Sequence, residues 1–333
     1  MLNWNKFLLI SLLIMSTLIS VSANSWLSLW MGLEINLMAF IPLIIENNNM
    51  FMSEAMISYF LIQTLTSINF LFFIFLMKFY PYLSEFIKFM INMSLLMKMG
   101  AAPFHFWFPK VMSGLSWLNC LILSTWQKIT PMMALSLCLM DFTVIISIIL
   151  SSLIGALGGL NQTSIRTLMS FSSINHLSWM LLSLMMSLNM WLMYFTIYFL
   201  LNCLIMYMFN LYNFFYLNQL FNFKIKLSIY YSFLINLLSL GGLPPFLGFF
   251  PKWLIVYFSS FNNMNFIIII MMMTTLITLS FYINITLSAL IINYSKINWF
   301  KNYINLNYLN LIFMSSSISM FGLIFISILN FSF

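Results

Sequence analysis

Met97-Lys98-Met99-Gly100-Ala101-Ala102-Pro103-Phe104-His105-Phe106-Trp107-Phe108-Pro109 decides the fold. It lies inside a long apolar run, yet it holds a lysine, a histidine, two prolines and a glycine. A lipid-facing helix avoids all of these. Proline has no backbone N–H and its ring clashes with the carbonyl four residues back, so Pro103 is expected to free the Met99 carbonyl. Loosened backbone at membrane depth is tolerated only where protein or a water-filled cavity satisfies it. The segment therefore belongs in the interior of a helix bundle, with Lys98 facing polar company.

The composition around it points the same way. The chain has 333 residues, 63% hydrophobic and 5% charged, against about 25% charged in a soluble domain. No soluble arrangement covers that much apolar surface, so the chain reads as a membrane protein with almost no extramembrane domain. Twelve basic residues spread along the length form no basic patch, which gives nucleic-acid binding no support. Cys120, Cys138 and Cys203 sit in apolar runs without metal-ligand spacing and read as small buried hydrophobes. Two histidines and five acids without HxxxH or ExxH spacing argue against a metal site. No nucleotide, flavin, haem or iron–sulfur motif is present. Lys6, an apolar run and Val21-Ser22-Ala23 imitate a signal peptide. We read it as a retained first helix, since nothing downstream resembles a mature soluble domain.

About twenty apolar residues span a bilayer, and cutting at polar clusters gives about eleven spans. They cover residues 7–23, 25–45, 55–77, 89–110, 116–139, 142–160, 169–186, 190–213, 229–261, 264–291 and 308–331, the ninth being long and interrupted. Strand-type alternation is absent. The expected architecture is all-α, a polytopic transmembrane helix bundle forming one domain over 1–333. Its halves are roughly 1–140 and 141–291, followed by the C-terminal helix 308–331. Threading places Lys6, Lys110, Arg166, Lys224, Lys226, Lys296 and Lys301 on the N-terminal side, with Glu46 and Glu54. Lys78, Lys88, Glu85 and Asp141 fall on the other side. The Lys/Arg bias puts the N-terminus inside, in cytoplasm or matrix, and the C-terminus opposite. Tyr294, Trp299 and Tyr303 near Lys296 and Lys301 fit an interfacial anchor or an ordinary loop.

Gly100-Ala-Ala-Pro103-Phe-His-Phe-Trp-Phe108-Pro109-Lys110 has a second copy in Gly241-Gly242-Leu-Pro244-Pro245-Phe-Leu-Gly-Phe249-Phe-Pro251-Lys252, with one inserted residue. The two copies cross in opposite directions. Inverted repeats with broken helices at mid-membrane point to an ion or substrate pathway. Pro244 and Pro245 are expected to free the carbonyls of Leu240 and Gly241.

A charge at the bilayer centre costs about 2.5–3.5 kcal/mol on insertion scales, so the few retained at depth are informative. Glu34 and Lys98 are near mid-span. Each is either a structural partner between helices or part of a proton path. Lys128, in Trp126-Gln127-Lys128-Ile-Thr130-Pro131, repeats a lysine beside an expected break at Pro131, or else snorkels to a surface. Lys252 is near mid-depth if 229–261 is one interrupted span, and an interfacial anchor if the helix ends at Phe250. His176 lies on a polar stripe with Ser172, Ser173 and Trp179, making either one interhelical hydrogen bond or a relay step. His105 sits among aromatics and reads as packing. A desolvated amine holds its proton less tightly and a nearby carboxylate restores the hold. Proton exchange works best near neutral pH. Lysines along helices, bridged by histidine, serine and water, make a proton relay.

Several motifs together resemble chain 2 of mitochondrial NADH–ubiquinone oxidoreductase, respiratory complex I, in its insect forms. They are Met31-Gly-Leu-Glu34-Ile-Asn36, Lys98-Met-Gly-Ala-Ala-Pro-Phe-His-Phe-Trp107, Trp126-Gln-Lys128, Gly158-Gly-Leu-Asn-Gln-Thr163, Phe171-Ser-Ser-Ile-Asn-His176, Leu240-Gly-Gly-Leu-Pro-Pro-Phe246 and Pro251-Lys252-Trp253. The resemblance covers essentially the whole chain. It implies an antiporter-like, proton-translocating membrane-arm subunit with two inverted five-helix units, each holding a broken helix at Gly100/Pro103 and at Gly241, Gly242, Pro244 and Pro245. It implies channel residues Glu34, Lys98, Lys128 and Lys252, with His176 as connector: Glu34 paired with Lys98, Lys128 central, Lys252 at the exit. The internal repeat instead aligns Lys110 with Lys252, so it supports the architecture without choosing the lysine. The resemblance further implies an enzyme subunit with no redox centre or bound cofactor. NADH, FMN, iron–sulfur clusters and ubiquinone would be used in other subunits. Partners would be other membrane-arm subunits and lipids, in a hetero-oligomer of the mitochondrial inner membrane. A stand-alone cation/proton antiporter and a structural scaffold of the membrane arm are the competing expectations.

Overall fold

The computed structural model describes residues 4–45, 50–222, 227–294, and Ser316, Ser317, Ser319, Met320 and Gly322. The eleventh expected span, 308–331, lies outside these apart from those five residues, as do Glu46, Lys224, Lys226, Lys296, Trp299, Lys301 and Tyr303. The described chain is helical throughout. Its β-type pairing is a single antiparallel bridge between Ser164 and Tyr216. Two compact units are formed, Met1–Ser151 and Ser152–Phe333.

The first unit contains α1 (Trp4–Val21), α2 (Trp26–Ile44), α3 (Met50–Phe79), α4 (Ser84–Met99), α5 (Trp107–Gly114), α6 (Trp117–Ser124) and α7 (Trp126–Ser136). A short turn, Pro81–Leu83, precedes α4. α2 starts sharply because Ser25 and Ser28 cap each other: each side-chain oxygen accepts the other's backbone N–H at 3.3 Å. α1 and α2 pack closely because Gly32 has no side chain; a Cβ there would lie 2.8 Å from Ser20 Cβ. Small residues serve this purpose between membrane helices, where water supplies no hydrophobic drive. At the far end of α2, Asn119 Nδ2 donates to the Leu43 carbonyl at 2.8 Å, satisfying one of the orphan carbonyls of a helix terminus.

The fifth apolar run differs from expectation. It is not one span broken at Pro131 but two helices broken at Thr125, and α7 runs through Pro131. Both the Thr125 backbone N–H and its hydroxyl donate to the Leu121 carbonyl, at 3.1 and 2.6 Å. That back-bonding bends the chain before the proline is reached.

α8 (Asp141–Gly159) runs across the boundary between units. The second unit continues with α9 (Ile165–Met186), α10 (Leu188–Tyr212), α11 (Leu217–Asn222), α12 (Leu227–Gly241), α13 (Phe249–Phe261) and α14 (Asn265–Tyr294). α9 is buried along nearly its whole length and carries serines, Asn175 and His176 inward. Helices α10, α13 and α14 pack against it. Among the described residues six helices are long and apolar enough to cross a membrane: α1, α2, α3, α8, α10 and most of α14. The polar α9 and the interrupted pairs α4/α5, α6/α7 and α12/α13 complete the two interiors.

Candidate functional site

In the first unit α4 ends at Gly100, whose φ of +74° suits glycine. The Gly100 N–H donates to the Met97 carbonyl at 3.2 Å and the Ala101 N–H to Leu96 at 3.1 Å. The carbonyls that acquire side-chain partners are Met97, from Trp107 Nε1 at 3.1 Å, and Lys98, from Gln63 Nε2 at 3.2 Å. The expectation that Pro103 acts on Met99 is corrected accordingly: the helix has already unwound at Gly100. The interruption ends where α5 starts at Trp107.

Lys98 and Lys128 are both buried, 7% and 1% exposed. They line one cavity of about 20 Å³, shared with Asn36, Tyr59, Gln63, Gln127 and Thr130. That volume holds a water, and the polar walls supply its partners. Gln127 Nε2 donates to Asn36 Oδ1 at 3.0 Å, and the Tyr59 hydroxyl reaches Gln127 Oε1 at 3.5 Å. Thr130 Oγ1 is buried without a hydrogen-bond partner. The Lys128 ammonium also lies over the Phe108 ring, 5.3 Å from its centroid. Glu34 acts on the Lys98 charge from a distance. The two do not meet in an ion pair, and Glu34 Oε1 is buried with no hydrogen-bond partner.

In the second unit α12 ends at Gly241, and Gly242 takes φ +82°. The Gly242 N–H donates to the carbonyls of Leu238 and Ser239, both at 3.1 Å. Lys252, in the first turn of α13, folds back onto this break. It is 7% exposed, and its Nζ donates to the Gly241 carbonyl at 2.8 Å. His176, in α9, is buried, and its Nδ1 lies 2.8 Å from the Tyr194 hydroxyl. Its ring sits 5.0 Å from that of Tyr198, whose hydroxyl is engaged by Asn202 and Ser173.

The structure thus brings Lys98 and Lys128 together, with Glu34 near but apart, and places His176 and Lys252 in the other unit. His105 packs on Phe106, ring centroids 4.2 Å apart. Lys110 pairs with Glu54 at 2.9 Å, both largely exposed. Asn36, Tyr59, Gln63, Trp107, Gln127 and Tyr194 were not singled out from the sequence. One signal was available: Tyr59 and Gln63 are four apart, hence on one face of α3. Among the described residues no group of three or more His, Cys, Asp or Glu side chains comes together.

A family model described as NADH:quinone oxidoreductase/Mrp antiporter, TM, matches residues 23–278. The chain belongs to this family. The matched stretch contains Glu34, Lys98, Lys128, His176 and Lys252. NADH-ubiquinone oxidoreductase chain 2 of Anopheles gambiae is 49% identical, over 98% of this chain and 97% of its own length. Among solved structures, a chain of respiratory complex I from Thermus thermophilus superimposes with a TM-score of 0.85 at 22% identity, covering 96% of this chain and 78% of its own. A chain of the Mrp complex from Dietzia sp. DQ12-45-1b gives 0.74 at 16% identity, covering 89% and 61%. These two share the antiporter-like fold.

Proposed function

We propose that this chain is a proton-translocating membrane-arm subunit of respiratory complex I, coupling NADH-to-ubiquinone electron transfer to proton movement. The full-length likeness to an NADH-ubiquinone oxidoreductase chain 2 supports this over a stand-alone antiporter. It works as one component of a hetero-oligomer in the mitochondrial inner membrane, with other membrane-arm subunits and lipids as neighbours. NADH, FMN, iron–sulfur clusters and ubiquinone belong to other subunits. The Lys/Arg bias favours an N-terminus in the matrix and a C-terminus toward the intermembrane space. The halves 1–140 and 141–291 act as inverted repeats.

The observation that carries the reading is the shared cavity of two buried lysines, Lys98 and Lys128. An ammonium at membrane depth is costly, and ionisable residues kept there mark ion and proton pathways; two of them facing one wettable space support such a pathway here. In this path Glu34 tunes Lys98, Lys128 is central, His176 connects and Lys252 releases. The breaks at Gly100/Pro103 and at Gly241, Gly242, Pro244 and Pro245 supply the non-helical backbone that such a path requires. Lys98→Met and Glu34→Gln are expected to lower protons pumped per NADH with assembly intact. Normal pumping in both would favour the scaffold.

A further inference from the structure

All five acidic residues of the chain, Glu34, Glu46, Glu54, Glu85 and Asp141, precede residue 152. The second unit therefore has no acidic side chain of its own to balance Lys252. Among the described residues of α9, α10 and α14, the helices packed against α13, the charged residue is Arg166 and the buried titratable ones are His176, Tyr194, Tyr198 and Tyr282. None is negative at neutral pH. What Lys252 does meet is a helix terminus. Its Nζ donates to the Gly241 carbonyl at 2.8 Å, at the carboxyl end of α12, where the aligned peptide dipoles amount to about half a negative charge. The seat is cut to fit: a Cβ on Gly242 would lie 2.9 Å from Lys252 Nζ, 3.1 Å from its Cδ and 3.2 Å from its Cε. The first break is closed differently, by the indole of Trp107 and the amide of Gln63, neither of which titrates.

We propose that the carboxyl end of α12, presented through the Gly241 carbonyl and the side-chain-free seat at Gly242, is the counter-ion of Lys252. Opening or closing this break then sets the hold on the lysine's proton. With the break closed, the ammonium donates to Gly241. With it open, the ammonium passes its proton to water; the N–H bonding pair stays on nitrogen as the lone pair of a neutral amine. The linkage is reciprocal: loss of the proton loosens the break. The second break is closed by a group that carries a proton, the first by groups that do not. Lys252 as a proton carrier rests on the function proposed above; the latch itself does not.

Hydrogen–deuterium exchange on the assembled complex tests this, comparing the amides of 242–249 with those of 100–106 in the same sample. In the unmodified enzyme the ratio of the two is expected to rise with pH as Lys252 loses its proton. In Lys252→Met it is expected to be raised about tenfold and flat with pH, the size of a lost charge-assisted hydrogen bond. Gly242→Asn is the second variant. Asparagine accepts a positive φ at little cost, so its effect comes from displacing Lys252, and it should match Lys252→Met. Equal ratios in the unmodified enzyme and Lys252→Met at every pH would overturn the latch. If Gly242→Asn does not assemble, the other two samples still decide. Protons pumped per NADH in Lys252→Met report separately: an unchanged value overturns the pumping role and leaves the exchange result standing.

Discussion

Trp107 closes the first break onto Met97, its Nε1 donating to a carbonyl ten residues back along the chain at 3.1 Å. The ring is at the same time held by Tyr59, 5.9 Å between centroids. One side chain thus both satisfies the unwound end of α4 and fixes the entry to α5. Trp107→Phe keeps the ring and removes the donor. Because Met97 also accepts the Gly100 N–H, the loss is expected to be about 0.5–1.5 kcal/mol. It is read as a lowered thermal midpoint of the assembled complex with protons per NADH retained.

Gln63 holds the carbonyl of Lys98 itself. Gln63→Leu takes away that side-chain donor at a buried helix end, costing about 1–3 kcal/mol. Lys98 sits on the loosened turn, so coupled turnover should fall along with stability. Stability loss with full pumping efficiency would mean that the clamp has no bearing on the lysine.

Tyr194 orients His176 through the 2.8 Å contact at Nδ1. Tyr194→Phe keeps the tilted ring contact, 6.1 Å between centroids, and removes the hydroxyl that holds Nδ1. Proton pumping is expected to drop about two- to tenfold, the value of one hydrogen bond expressed as a rate, with normal assembly on native gels. Unchanged pumping would remove His176 from the path as an oriented relay.

Gly155 lets α8 touch α9. A Cβ there would lie 2.7 Å from the Asn175 nitrogen and 2.9 Å from the Phe171 carbonyl oxygen. Gly155→Leu forces the helices apart, at about 1–3 kcal/mol or more. The variant should be missing from the assembled complex by native electrophoresis.

Lys110 supplies the contrasting case. Its pair with Glu54 is 60% and 63% exposed, and exposed pairs contribute about 0–1 kcal/mol. Lys110→Ala should assemble and pump normally. A pumping defect would restore the lysine that the internal repeat aligned with Lys252.

The membrane fold was legible because charge is so scarce: with 5% charged residues, each lysine in an apolar run stands out. Lys98, Lys128 and Lys252 were found that way, and the glycines and prolines of the two breaks by their effect on helices. Gln63, Asn36 and Gln127 were hidden for the opposite reason. Uncharged polar side chains are common throughout these spans, most of them satisfied within their own helix, as Ser94 is by the Ile91 carbonyl. Only the crossing of α2, α3 and α7 shows that these three amides face one cavity. Pro131, conspicuous in the sequence, lies inside α7, and the break falls at Thr125. A threonine that bends a helix by bonding to its own previous turn leaves no such mark.

The acid-free second unit has one more consequence. A carboxylate beside a lysine can be silenced by a single proton, so a site built on it fades as its surroundings acidify. The end of a helix takes up no proton at ordinary pH. Its partial charge can be carried away by moving the backbone, but it cannot be titrated. The partner of Lys252 is therefore insulated from acidity: at this site the lysine alone titrates, and its counter-charge is changed only by displacing the backbone.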